Sequence, residues 1–259
     1  MIELFDSHSH YNDEKFEEDR DDLLKQIYDF GVTKIIVAGY DVESSKKAID
    51  LSKQYNFIYS ICGISPNDIP ENEEELEDMI NEIKEVANNT KVVAIGEIGL
   101  DYHWNTENKE LQKKAFVSQI KLANELNLPI VIHTRDAVVD TLTILKENIP
   151  TKKGVFHCCP LNQELVKEAL KLDFYISLAG PITYKNSKNA DEIINLIPMN
   201  RMLIETDCPY LSPEPHRGER NDSRNMIYQI EKISEVKGIS KDKVAKETYE
   251  NAKNIFNIK

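Results

Sequence analysis

Short, nearly continuous apolar runs alternate along this chain with longer stretches in which apolar positions recur at helical spacing. The short runs are "IELFD" at 2–6, "KIIVAG" at 34–39, "IYSICG" at 58–63, "VVAIGE" at 92–97, "PIVIHT" at 129–134, "GVFHC" at 154–158, "FYISLAG" at 174–180 and "MLIETD" at 202–207. Runs with so little polar alternation predict strands covered on both faces, as in a parallel sheet. Between them, "EDRDDLLKQIYDFG" places Leu23, Leu24 and Ile27 on one side and stops at Gly31. "LQKKAFVSQIKLANELN" does the same with Phe116, Ile120 and Ala123. Residues 136–148, 162–171, 187–197, 222–237 and 241–256 carry weaker versions of the pattern, the last with Ser240 as its N-cap. The acidic run "PENEEELEDMINEIKEV" reads as a solvated helix face with Leu76, Ile80 and Ile83 turned inward.

Eight strands alternating with helices is the count of a (β/α)8 TIM barrel of the α/β class, and 259 residues suit one such domain spanning 1–259. An open doubly wound sheet gives the same local pattern. Apolar residues at 41% and charged residues at 30% are ordinary for a globular protein. The net charge of −13 is not, and it argues against non-specific adhesion to nucleic acid or an anionic membrane. No basic stretch followed by an apolar core opens the chain, and no apolar run is long enough to span a bilayer. Cys62, Cys158, Cys159 and Cys208 form no C-x-x-C pair and read as reduced thiols near strand ends. A cytoplasmic location without membrane or obligate protein partner is the expectation.

The polar residues fall in a telling place. His8 and His10 follow the first predicted strand, Glu97 ends the fourth, His133 the fifth, His157 the sixth and Asp207 the eighth. In a barrel these ends meet on the C-terminal rim, where active sites of the fold lie. A carboxylate such as Glu97, after an apolar run and between glycines, is costly to bury unless paired or bound to a cation. Imidazole and carboxylate donors without thiolate suit Zn, Mn, Fe, Ni or Mg. Six donors exceed the needs of one tetrahedral ion, so two divalent metal ions sharing Glu97 as a bridge are expected. The H-x-H pair works because alternate residues of an extended strand point the same way.

The segments "DSHSH", "AIGEIGLDY", "VIHTRDA", "GVFHC" and "LIETDCPYLSPEPHRGERND" together resemble the TatD DNase family of TIM-barrel metal-dependent hydrolases, over nearly the whole chain. The resemblance implies a divalent-metal-dependent hydrolase of phosphodiester bonds, a deoxyribonuclease of 3′→5′ exonuclease character. It assigns His8, His10, Glu97 and Asp207 to one metal, and Glu97, His133 and His157 to the other. Two departures stand out. The family's G-x-H-P-H segment is "GISPND" here, with Ser65 and Asn67 in place of histidines, and "HCCPLN" replaces an H-C-F-S-G pattern.

These features predict hydrolysis by a metal-activated water, with Asp207 as ligand and proton acceptor. Asp101 and Asp136 are expected to orient ligand histidines. The loop "PHRGERNDSR" offers His216, Arg217, Arg220 and Arg224 to phosphate, Arg217 foremost. Arg135 is a second candidate for phosphate, and Tyr102 and Trp104 are placed either to stack on a base, Tyr102 as a substrate contact, or to close the barrel mouth as packing. One compact cationic cluster in an acidic chain suits DNA ends or short oligonucleotides rather than a long DNA track. The alternative chemistry is a metal-dependent amidohydrolase or esterase, such as a deacylase acting on aminoacyl-tRNA. A non-catalytic nucleic-acid-binding module would need no such rim and would be basic.

Overall fold

The computed structural model describes residues 3–104 and 106–259. Eight parallel strands form one sheet in sequential order: β1 (Leu4–Ser9), β2 (Val32–Ala38), β3 (Ile58–Cys62), β4 (Val92–Asp101), β5 (Ile130–Arg135), β6 (Gly154–Phe156), β7 (Tyr175–Leu178) and β8 (Met202–Ile204). The sheet closes on itself where Ser7 Oγ donates to Ile204 O at 2.9 Å and His10 N–H to Cys208 O at 2.7 Å. Around it lie α1 (Arg20–Phe30), α2 (Val42–Gln54), α3 (Glu73–Val86), α4 (Lys109–Leu126), α5 (Val138–Glu147), α6 (Gln163–Lys171), α7 (Ala190–Leu196), α8 (Met226–Lys237) and α9 (Lys241–Ile255). This is the (β/α)8 TIM barrel.

Two apolar layers hold it. One lies between strands and helices, with Ile35, Ile95, Ile132, Phe156 and Ile204 meeting Leu24, Phe116, Leu165 and Ile233. The other gathers Phe5, Ile36, Ile61, Val131, Val155 and Leu203 with Ala252, Phe256 and Ile258 from the end of the chain, so the C-terminal segment packs against this inner layer.

Helix ends follow the chemistry of their sequences. Gly31 ends α1 in the left-handed region at φ 117°, and Ser240 caps α9 by accepting from Lys243 N–H. Helix α2 has no counterpart in the hydropathy pattern. Its buried face includes Ser44, Ser45 and Ser52 beside Ala48, Ile49 and Leu51, so hydroxyls mask the apolar period. The Asp41–Ser44 capping box marks its start instead.

Strand limits differ from the sequence expectation where the site lies. β1 runs later than 2–6 and contains His8. β4 continues to Asp101, so Glu97 is inside the strand rather than at its end. β8 stops at Ile204, leaving Glu205–Asp207 beyond it. Gly99 shows why the longer β4 needs glycine. Its φ is 141°, and a Cβ there would sit 2.0 Å from His133 O on β5.

Candidate metal centre

Alternation along β5 and β6 places His133 and His157 on the same side as the inner-layer residues Val131 and Val155, one step further toward the rim. On β1 the pairing register with β2 shifts between Asp6 and Ser9, an irregularity that re-aims side chains at the rim. His8 and His10 converge there, their Nε2 atoms 3.3 Å apart. Asp207 completes the ring from beyond β8. It sits in the left-handed region at φ 56°, with its N–H donating to His8 O at 3.0 Å.

Glu97 stands between two histidine pairs. Its Oε1 is 3.0 Å from His133 Nδ1 and 3.3 Å from His157 Nε2, and its Oε2 is 3.4 Å from His8 Nε2 and 3.9 Å from His10 Nε2. Asp207 Oδ1 lies 3.2 Å from His10 Nε2 and 3.7 Å from His8 Nε2. The rings of His8 and His157 stack with centroids 4.0 Å apart. All six residues singled out as ligands are therefore brought together. His8, His10 and Asp207 group closely enough to share one ion, as do His8, Glu97 and His157.

The charge balance of the pocket is that of a cation site. Burial opposes protonation of His10, His133 and His157, but facing carboxylates outweigh it and raise all three. Burial together with the His157 charge lowers His8. Burial pushes Glu97 and Asp207 up, yet the surrounding imidazoles hold both below the usual carboxylate range. The carboxylates facing these rings favour positive charge in the pocket, and its N/O donor set fits divalent ions.

Further carboxylates lie behind the ring of donors. Asp101, buried, accepts from His133 Nε2 at 2.9 Å. Burial would raise Asp101, but His133 and the N–H groups of Trp104 and His103 hold it well below its ordinary value. Asp136 does not share that role: it pairs with the exposed His103 at 3.1 Å, because the left-handed turn at φ 54° directs it away from the cluster. Sequence reasoning missed Glu205. It is fully buried, with Oε1 3.4 Å from His157 Nδ1 and accepting from Cys158 N–H at 2.5 Å. The signal was an acid directly after the apolar "MLI". Asp6 was missed as well; it accepts from Thr206 N–H at 3.0 Å and Ser223 Oγ at 2.6 Å, and burial pushes its carboxyl up to about 7.

The expected substrate contacts separate. Arg220 is clamped to Asp19, and Arg224 to Asp222 at 2.8 Å. His216 is held by Glu219 and Tyr228, each at 2.9 Å. Arg217 lies over the Tyr184 ring at 4.3 Å. Among the described residues it makes no ion pair. Tyr102 donates its hydroxyl to Asp140 at 2.7 Å under Lys109, and Arg135 lies over Trp104 at 5.2 Å. Ser65 donates to Asp68 at 2.6 Å, and Asn67 Nδ2 reaches Asp101 at 3.4 Å. All four cysteines are free.

A barrel with imidazoles and carboxylates gathered at its rim defines a class, the metal-dependent hydrolases. Comparison with known proteins narrows it. The family model described as TatD related DNase matches residues 5–257. The chain is 43% identical over 257 residues to YabD of Bacillus subtilis, named an uncharacterized metal-dependent hydrolase, covering 98% of this chain and 99% of that one. It is 32% identical over 262 residues to the 3′-5′ ssDNA/RNA exonuclease TatD of Shigella flexneri, covering 98% and 99%. The crystal structure of YjjV, a TatD homologue of Escherichia coli K12, superposes with a TM-score of 0.92 at 24% identity over 100% and 99% of the two chains, which speaks for the fold. This chain belongs to the TatD family and is a metal-dependent hydrolase. None of its described helices is long and apolar enough to cross a membrane.

Proposed function

We propose that the protein removes nucleotides from the 3′ end of single-stranded DNA or short oligonucleotides in the cytoplasm, acting as one catalytic domain with two divalent ions. The observation that carries this reading is Glu97, whose two oxygens face separate histidine pairs. His8, His10 and Asp207 would hold one ion and His133 and His157 the other, with Glu97 shared. When bound, such ions bring the pKa of an attacking water toward neutrality and offset charge on phosphoryl oxygens.

The chain's own groups do the rest. Asp101 holds the His133 ring through its 2.9 Å hydrogen bond, and Glu205 faces His157 Nδ1 at 3.4 Å. Asp207, 3.2 Å from His10, accepts the proton of the attacking water. Arg217, with no acidic partner among the described residues, grips the phosphate with its guanidinium fork. Family membership and the relative named as an exonuclease support the substrate class. The net charge of −13 supports end binding over tracking along DNA.

The test is incubation of the metal-loaded protein with 5′-labelled single-stranded DNA. Stepwise shortening from the 3′ end, abolished by EDTA, is the expected result. A specific observation keeps a second reading alive: Ser65 and Asn67 are tied to acids where the family resemblance led us to expect histidines. DNA left intact while acylated tRNA or small esters turn over with the same metals replaces the nuclease by an amidohydrolase.

A further inference from the structure

We infer that Trp104, backed by Arg135, is a stacking platform for the terminal nucleobase of a single-stranded substrate; this rests on the nuclease reading and names what that site grips. Trp104 is 70% exposed, while every other aromatic ring of the chain is at least half covered or lies within the two apolar layers or the loops around them. An exposed indole offers a large, rigid π surface with two rotatable bonds, which is why tryptophan is favoured where a planar partner is to be contacted.

Its position is built rather than loose. The N–H groups of His103 and Trp104 both donate to Asp101 Oδ1, at 2.9 and 3.0 Å. The other oxygen of the same carboxylate holds His133, so the indole's backbone and a candidate ligand ring hang from one buried group. Arg135 lies two residues beyond His133 on β5, and Asp101 is its register partner on β4. Its guanidinium lies 5.2 Å from the Trp104 ring, and the His103 ring meets the indole edge-on at 4.9 Å. With a cation over one side and most of the indole in solvent, the site offers a π surface and a positive charge together. That pairing matches a base and its adjoining phosphate, and stacking tolerates any base. A base already in a duplex is stacked and unavailable, so the platform selects unpaired ends.

Trp104 is the chain's one tryptophan, which makes it its own reporter. The experiment uses the metal-loaded protein and two phosphorothioate-linked oligodeoxynucleotides, one with an intact 3′-terminal nucleotide and one abasic there. Saturable quenching of the indole emission by the first and a much weaker response to the second is expected. With cleavable versions, Trp104→Ala should raise KM for the intact end by roughly 5- to 140-fold (about 1–3 kcal/mol at 1.4 kcal/mol per tenfold), leave kcat and the melting temperature unchanged, and erase the preference over the abasic end. Trp104→Phe should restore part of the preference. If oligonucleotide is cleaved but emission and the Trp104→Ala KM do not change, the platform is refuted and the nuclease reading stands. If no oligonucleotide is bound or cleaved while an acyl substrate turns over, the nuclease reading falls and takes the platform with it.

Discussion

Replacing Asp101 by asparagine tests how much of the centre depends on a carboxylate outside the ligand ring. The substitution keeps size and shape. The backbone at 101 stays in place, because Gln112 accepts from Asp101 N–H at 2.9 Å and donates to Asp101 O at 3.0 Å. The remaining amide oxygen can still receive the His103 and Trp104 N–H groups. What disappears is the anionic acceptor 2.9 Å from His133 Nε2, replaced by an NH2 that cannot accept that hydrogen bond. His133 then loses the partner that fixes its tautomer and presents Nδ1 to Glu97. Loss of such a partner costs about 10- to 100-fold in metal affinity or activity, or roughly 1.4–2.8 kcal/mol. Calorimetric titration with Mn²⁺ or Zn²⁺ should show one of two sites weakened by that factor, with turnover falling in parallel and the melting temperature nearly unchanged. Asp101→Ala should lower stability as well, since two partly buried N–H donors lose their acceptor at about 1–3 kcal/mol in total. Two full metal equivalents of unchanged affinity in the asparagine variant would refute the orienting role. Equal melting temperatures for the two variants would refute the partition between ring and loop.

Three other changes address separate parts of the molecule. Glu97→Gln should abolish tight binding of the second ion together with turnover, and two retained equivalents in elemental analysis would remove its bridging role. Arg217→Ala should cut kcat/KM for phosphodiesters by roughly 10- to 150-fold, the size of a charge-assisted hydrogen bond of about 1.5–3 kcal/mol, without altering metal content, and Arg217→Lys should recover only part. Unchanged kinetics would retire that residue. Gly99→Ala forces a Cβ to within 2.0 Å of His133 O at a backbone angle that disfavours side chains, so a loss of at least about 2 kcal/mol and a fall of roughly 5 °C in melting temperature is expected. A thermal scan matching the wild type would show that β4 and β5 can separate there at no cost.

The fold and the gathering of the six candidate donors at the rim were legible in the sequence because both rest on local chemistry. Strands covered on two faces must be apolar without interruption, so the acids and imidazoles at the ends of "VVAIGE", "PIVIHT" and "GVFHC" stand out against them. Helix α2 was hidden because buried serines carry no hydropathy signal, although Ser45 is packed as tightly as Ala48. Tertiary structure alone decided which acid serves which ring. Asp101 and Asp136 look equivalent along the chain, and only the left-handed turn at Asp136 sends one to His103 and leaves the other on His133. The same holds for the arginines of the last loop. Arg217, Arg220 and Arg224 share a short segment, but Asp19 is distant in sequence from Arg220, and no local pattern reveals that it neutralises this arginine. Periodicity reports which side of an element is buried; partners brought together by closure of the barrel are fixed only by the three-dimensional path of the chain, because a charge pairs with what is near it in space.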